Sequence, residues 1–154
     1  MSAPRGQEER VRELVERVVA ALGVGGEVRV EVDEDRIRAV VAGDDLGLLI
    51  GHHGQTIDAI QHLAYRAAFR PGEARRRVEV DASGYRERRA ATLRHDADRA
   101  AYDALRLERP VTLEPMSAVE RRLVHEHLRE RGDVETYSEG EEPERRLVIA
   151  PPEG

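Results

Sequence analysis

The chain contains no cysteine, no tryptophan and no lysine. Without cysteine there is no disulfide framework, no thiolate zinc site and no thiol nucleophile, which fits an intracellular protein. Aromatic residues make up only 3% of the chain, which argues against a sheet that stacks bases on several exposed rings. No apolar run approaches the roughly 20 residues of a membrane span. The opening MSAPRGQEER is too polar and acidic for a secretory signal. The expectation is a soluble cytoplasmic protein with no membrane insertion. At 154 residues the chain makes one ordinary domain or two small ones with thin cores, and the patterns below favour two.

What the chain does have is charge. Its 25 basic residues are all arginine, set against 31 acids for a net charge of -6, so bulk attraction cannot hold a nucleic acid. The balance is uneven: residues 1–50 carry 7 arginines against 11 acids, residues 51–109 carry 12 against 9, and residues 110–154 carry 6 against 11. Positive charge gathers in the middle third. Exclusive use of arginine also fits genome composition or heat tolerance, so its functional content lies in placement.

That middle third opens on Leu48-Leu49-Ile50-Gly51-His52-His53-Gly54-Gln55-Thr56-Ile57. Two glycines three apart let the chain turn sharply, and their missing β-carbons let a sugar-phosphate backbone approach the peptide N–H groups. Ile50 and Ile57 would anchor the two ends. The bare motif is weak, since 13 glycines predict about one copy by chance, and Gly23 to Gly26 is a second copy. That one follows a helical pattern and reads as a helix C-cap and turn.

Context separates the two. Val11, Leu14, Val15, Val18, Val19 and Leu22 recur at helical spacing over 8–22. Val28, Val30 and Val32 then alternate, Asp33-Glu34-Asp35 turns the chain, and Ile37, Ala39 and Val41 alternate again, predicting a hairpin. Asp44 or Asp45 can cap a short helix through Leu49. After the glycine loop, Ile57, Ile60, Leu63, Ala64, Ala67 and Ala68 trace a helix ending at Pro71-Gly72, and residues 77–81 form a short strand.

This order of elements resembles the type II KH domain, over residues 8–82. The resemblance implies a three-stranded sheet with helices, and single-stranded RNA, or single-stranded DNA, of about four nucleotides held beside Gly51–Gly54. Ile50, Ile57 and the second hairpin strand would wall the pocket, with Gln55 at the loop exit. The two loop positions, commonly with at least one Lys or Arg in that family, are here His52 and His53. A phosphate contact through imidazole strengthens on protonation, near pH 6.5 for an ordinary histidine. A metal site at this pair is disfavoured, because adjacent side chains are expected to point apart and no acidic partner sits at ligand spacing.

Residues 84–108 predict a long polar connecting helix with Leu93, Ala97, Ala100, Ala101, Ala104 and Leu105 on one side, stopped by Pro110. Arg86, Arg88, Arg89 and Arg94 on its first turns follow closely on Arg75, Arg76 and Arg77. A solvated helix face is the simple reading; Arg75, Arg76, Arg86 and Arg89 are the candidates for phosphate contact.

Further on, Ser117 with Glu120 forms a capping box. Arg121 and His125 then lie four apart on one face, with Arg122 beside them and Arg129 continuing the row. Strands are expected over 111–114, 134–138 and 145–150. This part, residues 84–154, resembles the R-three-H domain, an α+β fold with a small three-stranded sheet named for its Arg-x-x-x-His pair. The resemblance implies single-stranded nucleic-acid binding through Arg121 and His125, with Arg145 and Arg146 as neighbours.

A KH domain followed by an R-three-H domain is similar to the bacterial Jag family, also called SpoIIIJ-associated proteins. That resemblance implies RNA binding, control of cell elongation, division or sporulation, and a partnering small KH-domain protein. Only about seven residues precede the first helix, so the family's extra N-terminal domain is not expected here. No metal or cofactor is implied. Two other classes remain open: a ribonuclease built on His125 with Glu126 or Glu120, and a protein-protein adaptor with little nucleic-acid binding.

Overall fold

The computed structural model describes residues 6–154. The chain folds as two compact units, one ending at Arg86 and the other running from Glu87 to Gly154.

In the first unit, helix α1 (Gln7–Leu22) turns Val11, Val15 and Val19 inward and ends at Gly23, whose left-handed backbone closes the last turn. Strands β1 (Glu27–Val32) and β2 (Arg36–Ala42) form the expected antiparallel hairpin, with Val28 opposite Val41 and Val30 opposite Ala39. Strand β3 (Arg77–Ala82) joins β2 in parallel, setting Val78 beside Ile37 and Val80 beside Ala39. A parallel neighbour requires a crossover. It is made by the short helix α2 (Gly47–Ile50), a turn of 3-10 helix over His52–Gly54, and helix α3 (Gln55–Ala68).

Helices α1, α2 and α3 share one core with the inward strand residues: Ile37, Val41 and Val80 come from the strands, Leu49 and Ile57 from α2 and α3. Each such side chain, fully buried, contributes about 1.5–3 kcal/mol. The alternate strand residues are charged apart from Val40 and Ala42. There Arg38 bonds Glu79 at 3.1 Å and Asp81 at 3.2 Å and lies 3.8 Å from Glu31. The bond to Glu79 outweighs the opposing effect of burial and raises the Arg38 guanidinium above its ordinary value.

The second unit is built on the long helix α4 (Tyr85–Leu107), which buries Leu93, Ala97, Ala100, Ala101 and Ala104. Small side chains on this side let neighbouring elements approach closely. Against it pack helix α5 (Ala118–Arg131) and an antiparallel sheet of β4 (Val111–Thr112), β5 (Glu135–Glu139) and β6 (Arg146–Ala150), in the order β4-β6-β5. The predicted capping box is present: Ser117 Oγ accepts from the Glu120 amide at 3.2 Å, and the Glu120 carboxylate accepts from the Ser117 amide at 3.4 Å.

The architecture is thus α+β, with a three-stranded sheet in each unit. Local differences from the sequence expectation are confined to ends. Strand β4 stops at Thr112, short of Glu114, and β5 runs one residue later at both ends, over Glu135–Glu139. Neither Asp44 nor Asp45 caps α2, whose N-cap is Leu46 with no side-chain bond. The helix begins too late in the chain for either carboxylate to stand at its cap.

Both glycines of the Gly-x-x-Gly turn are required by the fold itself. Gly51 has φ +73°, and a β-carbon there would lie 2.2 Å from Thr56 Oγ1; Gly54 has φ +81°, and its β-carbon would meet the Tyr85 ring at 2.7 Å. Gly72 shares the left-handed backbone at φ +86° but has open space around it. Gly72→Ala is therefore expected to lose about 1–2 kcal/mol from backbone strain alone. At Gly51 or Gly54 alanine adds about 1–3 kcal/mol of overpacking. Urea-unfolding midpoints check this, and equal losses at all three positions would contradict the packing argument.

Candidate functional site

The Gly51–Gly54 turn presents a small, exposed polar tip on an apolar base. His53 takes a left-handed backbone at φ 52°, a conformation histidine tolerates better than most residues. That twist corrects the expectation that the two imidazoles diverge: the His52 and His53 rings stack, with centroids 3.8 Å apart and planes 29° from parallel. His52 and Gln55 are exposed, Ile50 is half-buried against the core, and Gly54 and Ile57 are buried. Ile57 has no exposed surface, so it anchors the loop from beneath and does not wall an open pocket. The same holds for the core-facing residues of β2, since Ile37, Ala39 and Val41 are all fully buried.

Helix α3 starts immediately behind this tip, and its N-cap, Gly54, makes no side-chain cap bond. The first turn of such a helix carries the positive end of the helix dipole, which favours an anion, while the Gly54 and Gln55 amides are taken by the Gly51 and His52 carbonyls of the turn. The one carboxylate in that turn, Asp58, is bonded by Arg86 Nη1 at 2.8 Å. Arg86 thus neutralises the charge that would otherwise repel phosphate there.

This pairing also corrects the role expected of Arg86. Its Nε donates to the Val80 carbonyl at 2.9 Å and its Nη2 to Gln61 at 3.0 Å, so the guanidinium is committed to joining α3 to β3. Arg89 is likewise bonded to Glu120 at 2.9 Å, with both side chains largely buried. Arg76 donates to the Asp33 carbonyl at 3.2 Å, while Arg75 bonds the Tyr65 hydroxyl at 3.1 Å and lies over its ring. Arg75, Arg76 and Arg77 line an open cavity of about 760 Å³ with Asp33, Glu34, Asp35 and Arg36, whose acids offset their charge. The arginines near the loop in sequence therefore act mainly within the fold.

In the second unit, a shallow groove of about 360 Å³ runs between α5 and β5. The structure brings Arg121, Arg122 and His125 to it, together with Ala118, Thr136, Ser138 and Leu147, and with Tyr137 at its rim. The members of the Arg-x-x-x-His pair differ sharply. Arg121 is only 8% exposed, donating to the Met116 carbonyl at 2.7 Å and to Glu142 at 2.6 Å. It ties the turn before α5 to the loop before β6. His125 is exposed, and its Nδ1 is hydrogen-bonded to Thr136 Oγ1, which fixes the ring at the mouth of the groove. Arg122 is 80% exposed and pairs with Glu126 on its own helix at 3.0 Å, a bond that solvent makes weak.

The remaining candidates lie outside this groove. Arg129 is exposed a turn beyond His125, Arg145 donates to the Gly140 carbonyl at 2.5 Å, and Arg146 sits half-buried on β6 opposite Glu139. His127 faces away and bonds Asp98 at 2.9 Å, as does Arg131 at 3.3 Å. Burial works to raise the Asp98 carboxyl, but these two bonds outweigh it and hold it below the ordinary carboxylate range. Among the described residues no three metal-ligating side chains gather at one place, and no helix is long and apolar enough to cross a membrane.

Thr136 and Glu142 were not among the candidates that the sequence yields. Neither carries a local signal: each meets its partner only after β5 and the following turn fold back on α5. Tyr137, 50% exposed, had one, as an aromatic between polar neighbours in a chain with few rings.

Comparison with known proteins agrees with both units. Residues 10–80 match the KH domain of the KhpA/KhpB type, and residues 91–151 match the R-three-H domain. The chain is 37% identical over 145 residues to a protein of Clostridium symbiosum called RNA-binding protein KhpB, covering 93% of this chain and 65% of that one. Relatives of the same name in Lactiplantibacillus plantarum and Bacillus subtilis are 38% and 34% identical over 133 and 139 residues, covering 86% and 88% of this chain. Of those two relatives' own lengths the chain spans 41% and 66%. With a KH domain of the KhpA/KhpB type followed by an R-three-H domain, the chain belongs to the KhpB, or Jag, family.

Proposed function

We propose that the chain binds single-stranded RNA, with single-stranded DNA as the alternative polymer, and does not catalyse a reaction on it. The carrying observation is the Gly51–Gly54 turn: a stacked histidine pair, His52 exposed and His53 half-buried, ahead of a helix with no side-chain cap whose only first-turn carboxylate is neutralised by Arg86. A sugar-phosphate backbone would lie along this turn, with its phosphates toward the α3 N-terminus. The second contact would be the α5–β5 groove, where His125 and Arg122 face the polymer while Arg121 holds the groove's shape. Two weak sites on one chain raise avidity without any new contact.

On this reading the KH module spans residues 8–82 and the R-three-H module residues 84–154. The names of the relatives and the two domain types support RNA as the ligand. The family resemblance adds a role as a cytoplasmic post-transcriptional regulator of cell elongation, division or sporulation, acting with a small KH-domain protein.

The histidine pair provides a test that leaves the glycines alone. In His52→Asp/His53→Asp, aspartate tolerates the left-handed backbone at position 53, so the fold is retained while two carboxylates face the phosphates. Each repulsion is worth about 1 kcal/mol at 4 Å in water. Filter binding or fluorescence anisotropy is therefore expected to show at least a roughly tenfold loss of affinity, greatest at low salt; unchanged binding would remove the loop from the interface.

Arg121 and His125 should separate in their effects. Arg121→Ala leaves Glu142 and the Met116 carbonyl unpaired and is expected to destabilise the second unit by about 1–3 kcal/mol. His125→Ala is expected to shift the melting temperature little and to weaken RNA binding. Thermal denaturation alongside the binding titration distinguishes them, and equal destabilisation by both would contradict this assignment.

Protonation should also matter. RNA affinity of the wild type is expected to rise between about pH 7.5 and 6 as imidazoles facing phosphate charge. Binding titrations across that range for the wild type and for His52→Gln/His53→Gln/His125→Gln check it. A rise that persists in the triple variant would place the titrating group elsewhere.

A further inference from the structure

The long helix α4 carries a surface that the two sites above do not use. Its apolar side is packed, and the residues diametrically opposite are Arg88, Thr92, His95, Arg99, Tyr102 and Arg106, every one of them exposed. Their spacing alternates between four and three residues. At 100° per residue all six fall within about 40° of one line along the helix, a strip about 27 Å long.

The strip is notable for what it omits. The chain holds 31 acids, yet none of the six positions is acidic. The nearby acids of this helix, Asp96, Asp98 and Asp103, lie at least about 60° round the cylinder. Two of them are engaged: Asp98 by His127 and Arg131, and Asp103 by Arg106 at 3.6 Å. An ordinary solvated helix in so acidic a chain would intersperse both signs. Tyr102, 64% exposed, adds a flat ring amid this positive line.

We propose that this outward face of α4 is a third contact surface for single-stranded RNA, in which the arginines follow the phosphates and Tyr102 stacks one base. The proposal rests on the RNA-binding reading above and extends it. Guanidinium groups recur along the strip at distances that a single strand of four or five nucleotides spans, and one aromatic among basic residues is the common element of sequence-tolerant strand binding. A protein partner fits less well, because the strip is one residue wide and Tyr102 is its only large apolar group, whereas protein interfaces centre on a buried apolar patch.

The test is a titration of the full chain with a single-stranded RNA of about 20 nucleotides, long enough to pass beyond the four-nucleotide loop site, at several salt concentrations. The variants are Arg88→Gln/Arg99→Gln/Arg106→Gln, Tyr102→Ala and His52→Asp/His53→Asp, each checked by circular dichroism. Loss of three phosphate contacts is expected to lower affinity roughly tenfold or more and to flatten the log–log salt slope by about 2. Tyr102→Ala is expected to cost about fivefold or more with the slope unchanged.

If the arginine variant keeps wild-type affinity and slope while the loop variant loses binding, the α4 surface is idle and the proposal falls, with the RNA-binding reading intact. If it keeps RNA but loses a protein from pull-down, the surface serves a protein and the proposal also falls. If the wild type binds neither RNA nor DNA, both readings fall together.

Discussion

The contact on which most of the first unit depends is the junction of Asp81 and Arg86 at the end of β3. Asp81 is almost fully buried, and its carboxylate accepts from the amides of Ala82 and Arg86 and from the Arg38 guanidinium. It thereby anchors the first turn of α4 at the end of the strand. Arg86, now positioned, reaches back to the Val80 carbonyl, Gln61 and Asp58, joining α3 to β3. Between them Tyr85 is pressed against Gly54. A turn some thirty residues earlier in the chain is thus given its shape by the residues that open α4. Removal of Arg38 would leave the Asp81 carboxylate buried without its cation, the costly way to break such a pair.

The same junction shows how an acidic protein could present the anion site proposed at the glycine turn. The chain does not surround the glycine turn with free arginines. It places a neutralised carboxylate and a helix end without a side-chain cap behind two imidazoles, so on the proposed reading any attraction for phosphate is local and short in range. In the second unit Arg121 shapes the groove from within, while His125, held by Thr136, stands at its surface. Across both units the arginines that build the geometry are the half-buried Arg38 and Arg86 and the buried Arg121, and the proposed ligand contacts fall to more exposed side chains.

Much of this was legible in the residues. Valine spacing in α1, alternation in the hairpin and the Ser117–Glu120 box each follow from local periodicity or local hydrogen bonding, so they survive folding unchanged. The arginine roles were not legible. Arg86 and Arg89 look like free cations in a polar helix, and only tertiary contact with residues 25 to 31 positions away turns them inward. The Arg-x-x-x-His spacing correctly put Arg121 and His125 on one helix face, but spacing carries no depth: one end of that face lies under the loop at Glu142 and the other in solvent. The stacking of His52 on His53 depends on a left-handed residue that no periodicity announces.

On the proposed reading, the polymer's backbone lies along the Gly51–Gly54 turn. Amide chemical-shift mapping of the full chain during titration with single-stranded RNA tests it most directly, because it reads contact residue by residue without altering the protein. The largest shifts are predicted at the amides of Gly51 to Thr56, at the uncapped start of α3, with a second group around His125. Shifts confined to the charged sheet face around Arg38 and Glu79, with the turn unmoved, would contradict it.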